Sequence, residues 1–326
     1  MKILITGDWH LHEKGTRSQV ILNFLDYIWD YYKKNNIELL VINGDIFDKS
    51  GSIKNAFFIP LSKKLYEMKQ SGVNFVFLVG NHDMINVDND SIIETFQPYG
   101  KVVKTNEVVQ YGDTAITYLS YTKNEDDIPK KGDIMITHLS IADFEFDNAF
   151  HATEKHAFPK ALFENYNKVF TGHFHKHQAK ENIVYVGSPC QMNRGEIGQK
   201  KGFVVYDTER EAWKFEEYAD APQYFEINNS NIMNLENIDL QNKVVVVAVD
   251  KKIKDFAKLR YVLYDKGAIE IIPIFEAASE VDVTVEEKIE MKNNIEDIMK
   301  DVISKLSVGL ENEKLLKTFT EIVEAT

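Results

Sequence analysis

The sequence predicts an α/β fold built on a parallel sheet. Three observations carry this. Short apolar runs alternate with segments of helical spacing across residues 2–79, the pattern of a βαβαβ unit. Each apolar run stops abruptly at a polar loop bearing a candidate metal ligand, and open α/β sheets gather their sites at such strand ends. Farther along, short alternating runs separated by Asn106 and by Gly112-Asp113 read as antiparallel meander strands over residues 99–120.

The first run, KILIT at residues 2–6, is a short buried strand ending at Gly7. Asp8-Trp9-His10 follows. Residues two apart in an extended segment point the same way, so Asp8 and His10 can face one ion. Ile21, Leu25, Ile28 and Trp29 recur at helical spacing, which predicts an amphipathic helix over residues 18–34 that ends in the basic, polar KKNN. LLVI at 39–42 is the second strand. It leads into NGDIFD, residues 43–48, where Gly44 permits a sharp turn and Asp45 stands at the strand end. A second helix spans roughly residues 56–68, with Pro60 in its first turns or marking a kink. NFVFLV at 74–79 is the third strand and opens into GNHD, residues 80–83. There Asn81 offers a carbonyl oxygen to a metal, His82 can face a phosphate, and Asp83 either holds the turn or orients the histidine.

After the meander, IMIT at 134–137 forms a buried strand ending at His138. Residues 139–158, rich in Phe, Asp and His, are read as a lid or a DNA-facing loop, with His151 and His156 as solvated or packing residues. KVFT at 168–171 leads to Gly172-His173-Phe174-His175, two imidazoles at i and i+2. Imidazole suits divalent Mn, Fe, Co and Zn. His177 continues the alternation without a matching role and is read as a surface residue. IVYV at 183–186 precedes Gly187-Ser188-Pro189, and residues 202–206 with 213–218 form a closing hairpin around Asp207-Thr208-Glu209.

A second part starts near Ala221-Pro222. A β-branched strand at 243–249, a helix over 254–264 and a strand at 269–275 make a small α+β unit, with Gly267 stopping the helix. Thr284 and Glu287 then form a capping-box signature. Ile295, Ile298, Met299, Val302, Ile303 and Leu306 mark an apolar helical stripe. A break at Ser307-Val308-Gly309 separates it from a second stripe through Leu315, Phe319 and Val323. The expected organisation is therefore a catalytic domain at 1–220, an α+β domain at 221–283 and a two-helix tail at 284–326.

Composition narrows the class. With 326 residues, 44% of them hydrophobic, a sizeable core is expected. The single cysteine, Cys190, rules out an intramolecular disulfide and suggests a reducing compartment. The apolar start is too short for a signal peptide. No stretch approaches the ~18 apolar residues of a membrane helix, so a cytoplasmic protein without membrane contact is expected. The net charge of −13 argues against a bulk basic nucleic-acid binder and fits ordinary solubility. It leaves room for a phosphate backbone held by metals, local lysines or a partner subunit.

Taken in order, the blocks are D-x-H, G-D-x-x-D, G-N-H-D, a strand-end His and G-H-x-H. This series resembles the calcineurin-like metallophosphoesterases across residues 1 to 220. Within them it is similar to the SbcD-type DNA repair and recombination nucleases, which include phage endonuclease subunits. Asp8-Trp9-His10-Leu11-His12 is close to that family's DxHLG, with His12 where Gly is frequent. GDIFDKSG lacks the Arg expected after the second Asp in the protein-phosphatase branch, and YVGSP at 185–189 also fits the SbcD pattern.

The resemblance implies a two-sheet β-sandwich flanked by helices and a centre of two metal ions ~3.5–4 Å apart. One ion would take Asp8, His10, Asp45 and His175. The other would take Asp45, Asn81, His138 and His173, with Asp45 bridging. His82 would contact the phosphate without binding metal, and Asp48 would hydrogen-bond His82 and raise its pKa. A nitrogen and oxygen ligand set without thiolate favours two Mn²⁺, with Mg²⁺ or Fe²⁺ as substitutes. The same resemblance implies DNA as substrate, cut from duplex ends and within single strands or hairpins. It also implies a capping role for 221–283, an SbcC-like ABC-type ATPase docked by the tail, and a homodimer formed through the first helices. Folding back onto the body is the alternative for the tail. A small-molecule or protein phosphoester is the alternative substrate. A scaffold without catalysis is disfavoured because all seven ligand positions and His82 are filled.

Overall fold

Three short apolar runs lie side by side at the centre of the molecule: β1 (Lys2–Thr6), β2 (Leu39–Ile42) and β3 (Phe75–Leu78). They pair in parallel, with Ile3 opposite Leu39 and Leu40 opposite Phe75. The crossovers are α1 (Gly15–Lys34) and α2 (Asn55–Gln70). α1 buries Ile21, Phe24, Leu25 and Ile28, and α2 buries Leu61, Leu65 and Met68, the stripes that helical spacing requires. Pro60 is the sixth residue of α2 and lies within the helix. The computed structural model describes residues 1–12, 15–49, 55–85, 90–145, 157–228, 231–249 and 256–275. The chain divides into two compact units, Met1–Ile274 and Phe275–Thr326; all described residues but Phe275 belong to the first. The expected two-helix tail, His151 and His156 lie outside the described residues.

The remaining strands of the body are β4 (Lys101–Val103), β5 (Asn106–Tyr111), β6 (Thr114–Leu119), β7 (Gly132–His138), β8 (Tyr166–Gly172), β9 (Gln178–Lys180), β10 (Ile183–Tyr185), β11 (Gly202–Asp207) and β12 (Ala212–Glu217). They complete two six-stranded sheets, ordered β12-β11-β1-β2-β3-β4 and β5-β6-β7-β8-β10-β9. Ile3, Ile5, Val41, Val76 and Leu78 of the first sheet pack against Ile116, Tyr118, Ile136, Phe170 and Val184 of the second. The fold is the expected two-sheet α/β sandwich. The outer face of the first sheet is covered by α1 and α2. Leu139, Ile141, Phe144, Phe158 and Phe163 cover the second. Burial on both faces explains why the central strands read as unbroken apolar runs.

The meander differs from expectation. Only β5 and β6 form an antiparallel hairpin. β4 joins the first sheet parallel to β3, and β6 runs parallel to β7. Only Lys104 and Thr105 separate β4 from β5, so the chain steps from one sheet to the other there. Apolar alternation reports which face is buried and is silent on which strand is the neighbour. The closing hairpin forms as expected, and β11 also pairs antiparallel with β1.

His177 is not a surface residue. Its ring stacks on Phe215 with centroids 4.1 Å apart, and its Nδ1–H donates to the Tyr185 carbonyl at 2.8 Å. The β8–β9 connection places it against β12, and burial lowers its pKa.

Beyond the sandwich, β13 (Gln223–Ile227), β14 (Lys243–Val249) and β15 (Ala268–Phe275) form a third sheet in that order, with α3 (Phe256–Asp265) packed on it. Ile227, Leu240, Val245, Val247 and Leu263 make its core. β13, parallel to β14, has no counterpart in the sequence reading: QYFEI is short and lacks clean alternation. Among the described residues no helix is long and apolar enough to cross a membrane.

Cys190 is buried in the α1–sheet core, and burial pushes its thiol up to about 12. The thiolate is the reactive form. The native protein is therefore expected to resist iodoacetamide at pH near 8, and the denatured chain to be alkylated fully, as read by intact-mass measurement.

Candidate metal centre

The loops that leave β1 and β2 run on together beyond the sheet. Asp8 N–H donates to Gly44 O at 3.0 Å, His10 N–H to Asp45 O at 3.0 Å and Leu11 N–H to Ile46 O at 2.9 Å. This pairing holds three side chains in unusual backbone. Asp8 (φ 51°), His10 (φ 44°) and Asp45 (φ 52°) adopt left-handed conformations, as does His173 (φ 87°) after β8. Such residues cost of order 1–3 kcal/mol each and cluster at functional sites. The glycines make room. A Cβ on Gly80 would collide with the Asp45 main chain and carboxylate, and Gly44 (φ 107°) approaches the His138 ring.

All seven expected ligand positions meet at the C-terminal ends of β1, β2, β3, β7 and β8. His138 Nε2 lies 3.2 Å from Asp45 Oδ2 and 4.0 Å from Asp8 Oδ1. Asn81 Oδ1 lies 2.9 Å from His173 Nδ1 and 3.2 Å from His138 Nε2. On the other side, His10 Nε2 is 3.5 Å from Asp45 Oδ2 and 3.0 Å from His175 Nε2. Three groupings result, each tight enough for one ion: Asp8, His10 and His175; His10, Asp45 and His82; Asp45, His138 and His173.

Asp8 and Asp45 are 0% and 2% exposed. Among the described residues neither is paired with lysine or arginine. Their partners are imidazoles and the main-chain N–H groups of His173 and His82. Burial opposes the ionisation of Asp45, but His138 holds it well below the usual carboxylate range. Burial likewise opposes charging His138, and Asp45 overrides it, raising the ring to about 9. The site thus favours positive charge beside its buried carboxylates. Two carboxylates, imidazole nitrogens and an amide oxygen without thiolate are a donor set that fits divalent cations.

Asp83 resolves the choice left open for it. Oδ1 accepts Phe47 N–H at 3.1 Å and Oδ2 accepts Gly80 N–H at 3.0 Å, so it holds the turn. Burial, helped by the Asp45 charge, pushes it up to about 7.

Asp48 behaves differently from expectation. Its carboxylate faces His10 Nδ1 and His12 Nε2, each at 3.6 Å. The contact with His82 comes from its main-chain carbonyl, which accepts the Nδ1–H at 2.7 Å. The His10 ring beside it, with the nearby charges of His12 and Arg17, lowers the Asp48 pKa. His12, standing where Gly is frequent in the family it resembles, therefore belongs to this polar rim. His82 itself is exposed at the mouth of a cleft also lined by Arg17, Met192 and Asn193.

Two charged residues escaped the sequence reading. Glu196 and Lys201 are 2% and 4% exposed and paired at 2.7 Å. Glu196 Oε1 also accepts the His175 Nδ1–H at 2.9 Å. Burial acts against the Glu196 charge, yet His175 and Lys201 hold it at about 2. Their only sequence trace is a pair of opposite charges five apart in a polar loop, which ordinarily signals solvent.

Residues 1–177 match the model of the calcineurin-like phosphoesterases. The chain belongs to that family and is a metal-dependent phosphodiester hydrolase; the family binds two divalent metals. Among individual proteins it is similar to exonuclease subunit 1 of Enterobacteria phage T4, 23% identical over an alignment of 359 positions that covers 100% of both chains. The SbcD component of the nuclease SbcCD of Escherichia coli K12 is 30% identical over 94 residues, covering 28% of this chain and 23% of that one. A solved archaeal phosphodiesterase superposes with a TM-score of 0.38 at 14% identity, over 67% of this chain and 99% of that one.

Asp83→Ala leaves the buried Phe47 and Gly80 N–H groups without acceptors. Each orphaned donor is expected to cost about 1–3 kcal/mol, measured as a fall in denaturant midpoint at unchanged m-value.

Proposed function

We propose that this chain is a divalent-metal-dependent DNA nuclease, working as an exonuclease on duplex ends and an endonuclease on single strands or hairpins. The observation that carries the chemistry is the convergence of seven ligand positions around two buried carboxylates balanced by imidazoles. The end-to-end similarity to a phage exonuclease subunit supports DNA as the substrate.

In this reading Asp8, His10, Asp45 and His175 hold one ion, and Asp45, Asn81, His138 and His173 the other. Asp45 Oδ2 stands between the His10 and His138 rings, which suits it to bridge. When bound, the two ions neutralise phosphate charge and activate water at neutral pH. Mn²⁺ is the favoured metal, with Mg²⁺ or Fe²⁺ as substitutes. The Asp48 carbonyl fixes the His82 ring by its Nδ1–H, leaving Nε2 to meet the phosphate and stabilise or protonate the leaving oxygen. Asp48, through its carboxylate, steadies His10.

Residues 221–283 act as a capping domain that orients DNA over the centre. The 284–326 tail docks an SbcC-like ABC-type ATPase, and the chain works as a cytoplasmic homodimer in DNA repair and recombination. The similarity to the SbcD component of the nuclease SbcCD supports the ATPase partner.

The test is cleavage of end-labelled duplex and single-stranded DNA in Mn²⁺, Mg²⁺ and EDTA. Cleavage is expected with Mn²⁺ and absent in EDTA. His82→Ala is expected to lower the rate by roughly 10²–10⁴-fold while DNA binding persists. Turnover of bis-p-nitrophenyl phosphate with no cleavage of any DNA would overturn the substrate and leave a phosphodiesterase acting on small or protein phosphoesters.

A further inference from the structure

The candidate ligand histidines are not held alike. His138 gives its Nδ1–H to a neutral main-chain carbonyl, that of Asn43, at 2.9 Å. His175 gives its Nδ1–H to the buried Glu196 carboxylate at the same distance. That carboxylate is over-determined: Oε2 also accepts Met192 N–H at 2.9 Å and Lys201 Nζ at 2.7 Å, and Oε1 accepts Asn193 Nδ2 at 3.1 Å. Lys201 in turn donates to the His175 carbonyl at 2.8 Å and to Ser188 Oγ at 3.0 Å. One buried ammonium therefore grips both the main chain of His175 and the carboxylate that holds its ring.

We infer that Glu196 and Lys201 are positioning residues that set the tautomer and orientation of His175, presenting Nε2 to the His10 side of the centre. The inference rests on His175 being a metal ligand, as proposed above. A carboxylate behind a ligand imidazole fixes its tautomer and raises its basicity, and losing one costs roughly 10–100-fold in metal affinity or activity. A plain structural ion pair would need neither the bond to the ring nor the grip on the His175 carbonyl. Lysine is the fitting partner because three donors on one nitrogen serve three acceptors at once. The arrangement also backs the two rings differently, a carboxylate behind His175 and a main-chain carbonyl behind His138.

Two measurements test this, neither needing turnover. In metal-stripped wild-type protein labelled with ¹⁵N-histidine at alkaline pH, the His175 signal, assigned by its loss in His175→Gln, is expected to show a protonated Nδ1 and a bare Nε2. The opposite tautomer would overturn the proposal, and this result does not depend on any substitution folding at residue 196. In Mn²⁺ titrations followed by electron paramagnetic resonance, Glu196→Gln and Lys201→Met are expected to weaken one of two ions by roughly 10–100-fold and spare the other. Wild-type affinity at both ions, or equal loss at both, would overturn it. His175→Ala separates the two levels. If it keeps both ions at wild-type affinity, the ligand assignment itself falls and takes this inference with it. If it loses one ion while Glu196→Gln loses none, only the positioning role falls.

Discussion

The arrangement depends on holding two carboxylates, Asp8 and Asp45, in the interior, with no lysine or arginine paired to either among the described residues. An unpaired buried charge is among the costliest features a fold can hold. Here the cost is met by imidazoles, by main-chain N–H groups, and by the cations that the donor set suits. Asp45 is the sharper case. It sits under the His138 ring, accepts the His82 N–H, and faces His10 across the cleft. Removing any one of these would leave its charge underserved.

Placement follows from the backbone. The paired loops after β1 and β2 put Asp8, His10 and Asp45 into left-handed conformations, and Gly44 and Gly80 supply the space for close approach. Asp83 locks the third loop by accepting from Phe47 and Gly80. The second sheet then brings His138 and His173 against the same carboxylates, with the His173 N–H donating to Asp8. The two sheets meet at this candidate centre as well as in the apolar core between them.

Charge is layered outward from this point. Imidazoles surround the carboxylates, and behind them lie a main-chain carbonyl for His138 and a buried carboxylate with its ammonium for His175. At the rim, Asp48 balances His10 and His12, and its carbonyl steadies His82. The overall acidity of the chain therefore says little about the cleft, which is lined by Arg17 and the histidine rings.

Much of this was legible in the sequence. The apolar runs located the central strands, helical spacing located α1 and α2, and the ordered blocks contain the seven positions that converge at the strand ends. Local chemistry sufficed because each block sits at a strand end and carries its own turn residues. The tertiary structure decided what depends on neighbours distant in the chain. It placed β4 in the first sheet, since alternation encodes a face and not a partner. It turned His177 inward and gave β13 a strand's place beside β14. It aimed the Asp48 carboxylate at His10 and His12, and buried Glu196 and Lys201 behind His175. A charged residue in a polar loop looks the same in sequence whether it meets water or a buried imidazole. Only the folded chain, by bringing residues 175, 196 and 201 into contact, determines which.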